Sequence, residues 1–315
     1  MKFQLLASFV LLASSSLVAA APLEERAAPP VPYFSGFNLG ANKPDGSCKT
    51  QANWEQEFKK IRSWSTNTKD KFNSIKIFST NDCNALANAA PAAIATGTTI
   101  WAGIWPSTPE KFNAEKAALE AQLKKYQSTG NKWLMGINVG SEALYRKEID
   151  PKVLAQYIYD IKGMTQIAYK ATHVPVGSAD TWTSWVDGRN KPVIDASDVI
   201  LMNAFPYWQG VEVEAGLRTF QEAINRTKNV IGPNKPFVVG ETGWPSAGPN
   251  FQKAIACKSC LQKYYTNVAC WLQKQSYGWY WFSGFDEPKR ESEIERNFGI
   301  AWYGQTPKVN FTCPK

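Results

Sequence analysis

Two glutamates, Glu142 and Glu241, are placed for work rather than for solvation. Each directly follows a glycine-containing apolar run, Val139-Gly-Ser-Glu142 and Val239-Gly-Glu241, and they lie 99 positions apart. Two carboxyl groups held on either side of a glycosidic bond divide the work of acid and nucleophile and need no cofactor. The plainer reading is that each makes a structural ion pair at the start of a loop. That reading must also account for the polar and aromatic residues found at the ends of the other apolar runs. Composition narrows the alternatives. The chain has one histidine, His173. A Ser-His-Asp triad would have to use it, and there is no G-x-S-x-G elbow to pair with it. Its place before Val174-Pro175 fits a structural role at a helix end. H-E-x-x-H metal sites are impossible with one histidine, and no G-x-G-x-x-G or P-loop is present. No metal and no cofactor are expected.

The elements that must position these residues alternate along the chain. Short runs rich in β-branched and aromatic residues predict strands at 33–39, 74–78, 98–104, 133–139, 174–178, 199–205, 237–240 and 278–283. Helices are predicted between them at 54–64, 84–95, 109–128, 151–171, 192–196, 211–230 and 252–274. Thr108 and Asp150 are the expected caps of the third and fourth, and Pro151 suits a first helical turn. Eight alternations in a chain of 315 residues predict a single (β/α)8 TIM barrel of the α/β class, with residues 33–315 as one domain. An open doubly wound sheet is the alternative. The barrel is preferred because every strand end carries chemistry, and a barrel gathers those ends on one face. They bear Asn38, Asp82, Trp105, Glu142, Asp180 with Trp182, Asn203 with Tyr207 and Trp208, Glu241 with Trp244, and Glu287. The ends of strands four and seven face each other across such a mouth.

Residues 1–20 read as a signal peptide: Lys2, an apolar stretch from Phe3 to Leu12, then small residues before cleavage after Ala20 or Ala21. Residues 21–32 read as a pro-segment or loose end followed by a proline-rich linker. The apolar stretch is too short to span a membrane. Secretion permits disulfides. Cys48, Cys83, Cys257, Cys260, Cys270 and Cys313 admit 15 pairings, which spacing alone does not resolve. Cys257-Lys-Ser-Cys260 reads as a local disulfide rather than half a zinc site. Asn225-Arg-Thr and Asn310-Phe-Thr are N-glycosylation acceptors if exposed. The net charge of +8 falls by one once Lys2 is removed. It is scattered, which suits adhesion to an acidic wall and gives nucleic-acid binding no support.

Val139-Gly-Ser-Glu142-Ala-Leu-Tyr-Arg146 and Val239-Gly-Glu241-Thr-Gly-Trp-Pro-Ser246 resemble the two catalytic signatures of glycoside hydrolase family 17. The nearer likeness is to its fungal cell-wall branch of β-1,3-glucanases and glucanosyltransferases. Gly36-Phe-Asn-Leu-Gly40, Asp45-Gly-Ser-Cys48, Asp82-Cys83-Asn84, Ala204-Phe-Pro-Tyr-Trp-Gln-Gly210 and Phe285-Asp-Glu287 extend the resemblance across residues 33–313. It implies a retaining barrel enzyme acting on β-1,3-glucan chains and laminari-oligosaccharides, with Glu142 as acid/base and Glu241 as nucleophile. Ser141 stands where the wider clan has an asparagine that binds the sugar 2-hydroxyl, which leaves Asn203 as a candidate for that contact. The resemblance also implies the pairings Cys48–Cys83, Cys270–Cys313 and Cys257–Cys260.

Around the pair, Asn38, Asn203, Tyr207, Trp208, Trp281 and Glu287 are the candidate substrate contacts. For Trp281, within a strand, a core role competes. For Trp244, packing beneath the site competes with stacking on sugar. For Glu287, a salt bridge to Lys289 or Arg290 competes with a sugar hydroxyl. A monomeric, secreted, wall-associated enzyme, hydrolase or transferase, is expected. A non-catalytic glucan-binding protein on the same scaffold is the other reading.

Overall fold

The computed structural model describes residues 28–64, 66–68, 71–304 and 306–314. The expected signal peptide and the start of the linker lie outside the described residues. Eight strands form a closed parallel barrel: β1 (Ser35–Leu39), β2 (Ser74–Ile77), β3 (Thr99–Ile104), β4 (Leu134–Ser141), β5 (Val176–Thr181), β6 (Ile200–Asn203), β7 (Phe237–Thr242) and β8 (Gly278–Trp281). Each pairs with the next in sequence, and β1 closes on β8 with Ser35 opposite Trp279. The open sheet is thereby excluded.

The helices between the strands are α1 (Gln51–Arg62), α2 (Ala85–Thr96), α3 (Pro109–Lys125), α4 (Pro151–Lys162), α5 (Trp182–Trp185), α6 (Lys191–Ala196), α7 (Gly216–Ile231) and α8 (Lys258–Lys274). Thr108 caps α3 by accepting the Lys111 N–H at 3.2 Å, and Asp150 caps α4 by accepting the Lys152 N–H at 2.8 Å. Three helices differ from expectation. The fourth is α-helical only to Lys162 and continues as a π-turn over Gly163–Ala168. The seventh starts at Gly216, after a 3-10 turn over Val213–Ala215. The eighth starts at Lys258, because the stretch before it folds on itself through a bridge between Phe251 and Ala254. The four-residue α5 was not expected; its hydrophobic period is too short to read.

Alternation along the strands builds two layers. Phe37, Ile75, Ile77, Ile100, Ile137, Ile200, Val239, Trp279 and Trp281 belong to the large core shared with the helices. From the other face, Trp101, Ala179, Leu201, Val238 and Tyr280, with Phe34, form a smaller cluster that plugs the barrel. Gly136 is required there, since a Cβ would sit 2.5 Å from the Trp101 ring. Above this plug the inward positions turn polar, with Asn38, Lys76 and Asn203 all buried.

The six cysteines pair as Cys48–Cys83, Cys257–Cys260 and Cys270–Cys313. The first ties the β1 and β2 loops. The third pins the last residues to α8. Just before it, Phe311 inserts among Phe37, Trp64, Phe72 and Tyr265, with ring centroids 5.0–6.4 Å away. The C-terminal segment therefore packs outside the β1–β8 seam.

Candidate active site

Glu241 lies on β7 and is 6% exposed. Its Oε1 accepts from Lys76 Nζ at 2.8 Å, and Ser141 Oγ lies 3.4 Å away. Lys76 is an inward residue of β2 with no exposed side-chain surface. A buried ammonium is stable only when paired and hydrogen-bonded. Its second partner is Asn38 Oδ1 at 3.1 Å. Asn38 in turn donates Nδ2 to the carbonyls of Gly240 (3.2 Å) and Trp281 (3.3 Å). The chain β8/β7–Asn38–Lys76–Glu241 fixes one carboxylate from below.

Glu142 is held differently. It follows β4 in the left-handed region, φ 57°, directly after Gly140 (φ 84°) and Ser141. A non-glycine residue in that region is uncommon and costs about 1–3 kcal/mol, which the surroundings must offset. They do so with hydrogen bonds. The Glu142 N–H donates to the Ala179 carbonyl at 2.9 Å. The Asp180 carboxylate accepts the N–H groups of Leu144 (2.9 Å) and Tyr145 (3.3 Å) and so shapes the turn that follows. Asn203 Nδ2 donates to Glu142 Oε1 at 3.1 Å, and Arg146 Nη1 approaches Oε2 at 3.6 Å. Arg146 also donates to Glu148 Oε1 (2.6 Å) and to the Ser141 carbonyl (2.5 Å). Burial pushes the Glu142 carboxyl up to about 7, and the neighbouring charges of Glu241 and Asp180 push the same way; the Asn203 hydrogen bond and Arg146 oppose them.

Asn203 links the two carboxylates. It pairs in register with Glu241 across β6 and β7 and bonds Glu142 through its side chain. Its Oδ1 is buried and has no protein partner. The three residues line one cleft of about 540 Å³, walled by Trp182, Trp208, Phe251, Phe282 and Phe298. Trp208 is 42% exposed and packs its ring against Phe251 and Phe298.

The other expected contacts are placed elsewhere. Trp281 is fully buried on the outer face of β8, against Tyr264 and Tyr265, so it is core. Its alternation with inward Tyr280 decides this. Tyr207 is enclosed as well: its hydroxyl bonds the Pro249 carbonyl and its ring packs on Trp244. Trp244 lies buried beneath the site, its Nε1 donating to the Ile255 carbonyl. Asn38 sits below the cleft with its side-chain atoms committed to strand carbonyls and Lys76, which removes it as a sugar contact. Glu287 lines a separate cavity of about 460 Å³ at the ends of β1, β2 and β8, where it pairs with Arg290 at 2.7 Å. His173 is exposed in a turn. Sequence reasoning missed Lys76, Arg146, Phe251, Phe282 and Phe298. Only Lys76 left a signal, a charge inside the otherwise apolar strand Ser-Ile-Lys-Ile.

No group of three or more His, Cys, Asp or Glu side chains arranged to hold a metal occurs among the described residues. A parallel eight-stranded barrel with opposed carboxylates at the C-terminal ends of β4 and β7 defines a glycosidase-type site. Residues 36–299 match the model of the BtgE/BtgC glycoside hydrolase domain, and the chain belongs to that family. A glucan 1,3-beta-glucosidase of Schizosaccharomyces pombe is 34% identical over 286 residues, covering 88% of this chain and 86% of that protein. One from Saccharomyces cerevisiae is 32% identical, covering 88% and 90%. Among solved structures, a beta-1,3-glucanosyltransferase of Rhizomucor miehei, an active-site mutant in complex with laminaritriose, superposes with a TM-score of 0.76 at 30% identity, covering 89% of this chain and 98% of that one.

Proposed function

We propose that this protein is a retaining β-1,3-glucan-active glycosidase, hydrolysing or transferring through a covalent glycosyl-enzyme, with Glu142 as acid/base and Glu241 as nucleophile. The observation that carries the assignment is the opposite setting of two identical side chains. Glu142, pushed up to about 7, holds a proton in mildly acidic solution. Glu241 has a lysine ammonium against it. That is the split the two roles require.

In the first step Glu241 attacks the anomeric carbon while the Glu142 proton passes to the glycosidic oxygen, and the leaving glucan departs with that proton. Glu142 is now a carboxylate. It takes a proton from water or a sugar hydroxyl, whose oxygen attacks the anomeric carbon and releases Glu241. Asn203 Oδ1, an acceptor with no protein partner, suits the 2-hydroxyl of the reacting sugar. Trp208 and Phe251 offer exposed aromatic faces on the cleft wall.

The test is product analysis on a reduced, size-defined laminari-oligosaccharide with wild type and Glu241→Gln side by side. Products longer than the substrate from wild type alone mark transfer, and shorter ones alone mark hydrolysis. Near-normal turnover by a pure, folded Glu241→Gln protein would overturn the assignment. Unchanged substrate with both proteins would favour a glucan-binding role.

The setting is proposed from the same chain. Three disulfides imply an oxidising compartment, and we infer a secreted, wall-associated monomer. Asn225 and Asn310 are exposed and are the proposed glycosylation sites.

A further inference from the structure

Lys308 belongs to the C-terminal segment outside the barrel, where a lysine ordinarily reaches into water. Its side chain is instead 1% exposed. Taking an ammonium out of water is costly, and a buried ion pair adds little net stability over an apolar substitute. What such a pair does supply is fixed geometry. Lys308 Nζ donates to Asp286 Oδ1 at 2.5 Å and to Ser246 Oγ at 2.8 Å. Asp286 lies in the loop after β8, and Ser246 in the loop that follows Glu241 and β7.

Each partner passes the restraint on. Asp286 Oδ1 also accepts the Gly299 N–H at 3.1 Å. Ser246 donates its N–H (2.9 Å) and its hydroxyl (3.1 Å) to the Asn297 carbonyl. Asn297 and Gly299 are the two chain neighbours of Phe298. The Lys308 main chain adds a third hold, its N–H donating to the Ile300 carbonyl at 2.8 Å. Phe298 is the residue behind Trp208: the two rings stack with centroids 6.1 Å apart, and Phe298 also meets Phe205 and Phe282 edge-on. Phe298, Trp208 and Phe282 wall the cleft that holds Glu142 and Glu241. We infer that Lys308 is a positioning residue for the reaction: one buried ammonium, tying the loops after β7 and β8, sets the place of Phe298 and through it the aromatic face that Trp208 offers to glucan. The inference rests on the reading of this cleft as the glucan site. Lys308 itself touches no substrate, so its loss should weaken glucan binding and leave the chemistry at Glu142 and Glu241 nearly intact.

The test compares wild type with Lys308→Met, Lys308→Arg and Ser246→Ala, all as full-length chains. Hydrogen exchange of the 297–301 amides is read without ligand. On a laminari-oligosaccharide of defined size, kcat and KM are measured separately, and affinity is measured by calorimetry with Glu241→Gln added to each chain. Lys308→Met should speed the exchange and weaken binding about tenfold, roughly 1.4 kcal/mol. KM should rise by a similar factor while kcat falls less than about twofold, the mark of lost binding rather than lost chemistry. Lys308→Arg should recover part of the affinity. Ser246→Ala keeps the ion pair and cuts one arm only, so it should weaken binding about threefold; where Lys308→Met fails to fold, Ser246→Ala carries the test. Unchanged exchange and affinity in the folded variants would overturn the inference, as would a fall in kcat at constant KM. A wild type that binds the oligosaccharide without turning it over, beside variants that bind it less tightly, would sink the catalytic reading and leave the role of Lys308 standing. No binding by wild type would remove both.

Discussion

The two carboxylates are chemically the same and structurally opposite. Glu241 is part of a strand and is fixed by a chain of buried groups running through Lys76 and Asn38 to strand carbonyls. Glu142 stands just past a strand, in a left-handed turn assembled by Asp180, with Arg146 at its open side. One is kept paired; the other is kept short of compensation. The proposed acid and the proposed nucleophile thus differ by their surroundings, and the comparison can be broken from either side.

The largest effect is expected from Glu142→Gln. With no proton to give, kcat/KM on β-1,3-glucan should fall about 10²–10⁴-fold. The loss should be much smaller on a substrate whose leaving group departs without protonation, measured as initial rates on an aryl glucoside of laminaribiose. Equal losses on both would separate Glu142 from the acid role. Next comes Lys76→Met, which leaves a buried carboxylate unpaired. Removing one partner of a buried pair costs about 3–5 kcal/mol. Activity should drop by about 10²-fold or more and melting should come earlier, with Lys76→Arg recovering part of both. The smallest effect sharpens the other side. Arg146 holds the Glu142 carboxyl down, so Arg146→Gln should raise it further. The basic limb of kcat/KM, set by loss of the Glu142 proton near pH 7, should then move to higher pH. A limb that moves to lower pH would contradict the electrostatic account.

The same Glu142 makes a linkage prediction. Its folded carboxyl titrates above the unfolded one, so the folded state binds the extra proton between the ordinary glutamate range and about 7. Stability from this group is present below that window and is lost as pH rises through it. Glu142→Gln should therefore melt higher than wild type above pH 7, and the difference should shrink in mild acid.

Much of this was legible in the sequence. All eight strands fall where the β-branched runs predicted them, because a parallel strand covered on both faces must be apolar almost throughout. The two glutamates of the cleft were legible because each breaks such a run close to a glycine. Burial at the strand ends was not. Tyr207 and Trp281 sit near the right rim and face the wrong way, since direction depends on a single residue of register. Asn38 occupies the expected strand but is spent on supporting Lys76. Phe251 reaches the cleft only because residues before α8 fold back instead of extending the helix, and that loop has no periodicity to read.

The aromatic packing of Phe311 bears on how the barrel is assembled. Seven of its strand pairings join neighbours in sequence; the eighth joins the first strand to the last. That seam asks the chain to close its longest loop, and the loss of chain freedom is greatest there. Phe311, inserted among side chains from both ends of the sequence, can gain its contacts only once the ends have met. The last few residues thus act as a clasp, and the order of assembly should run from the interior strands outward to the seam.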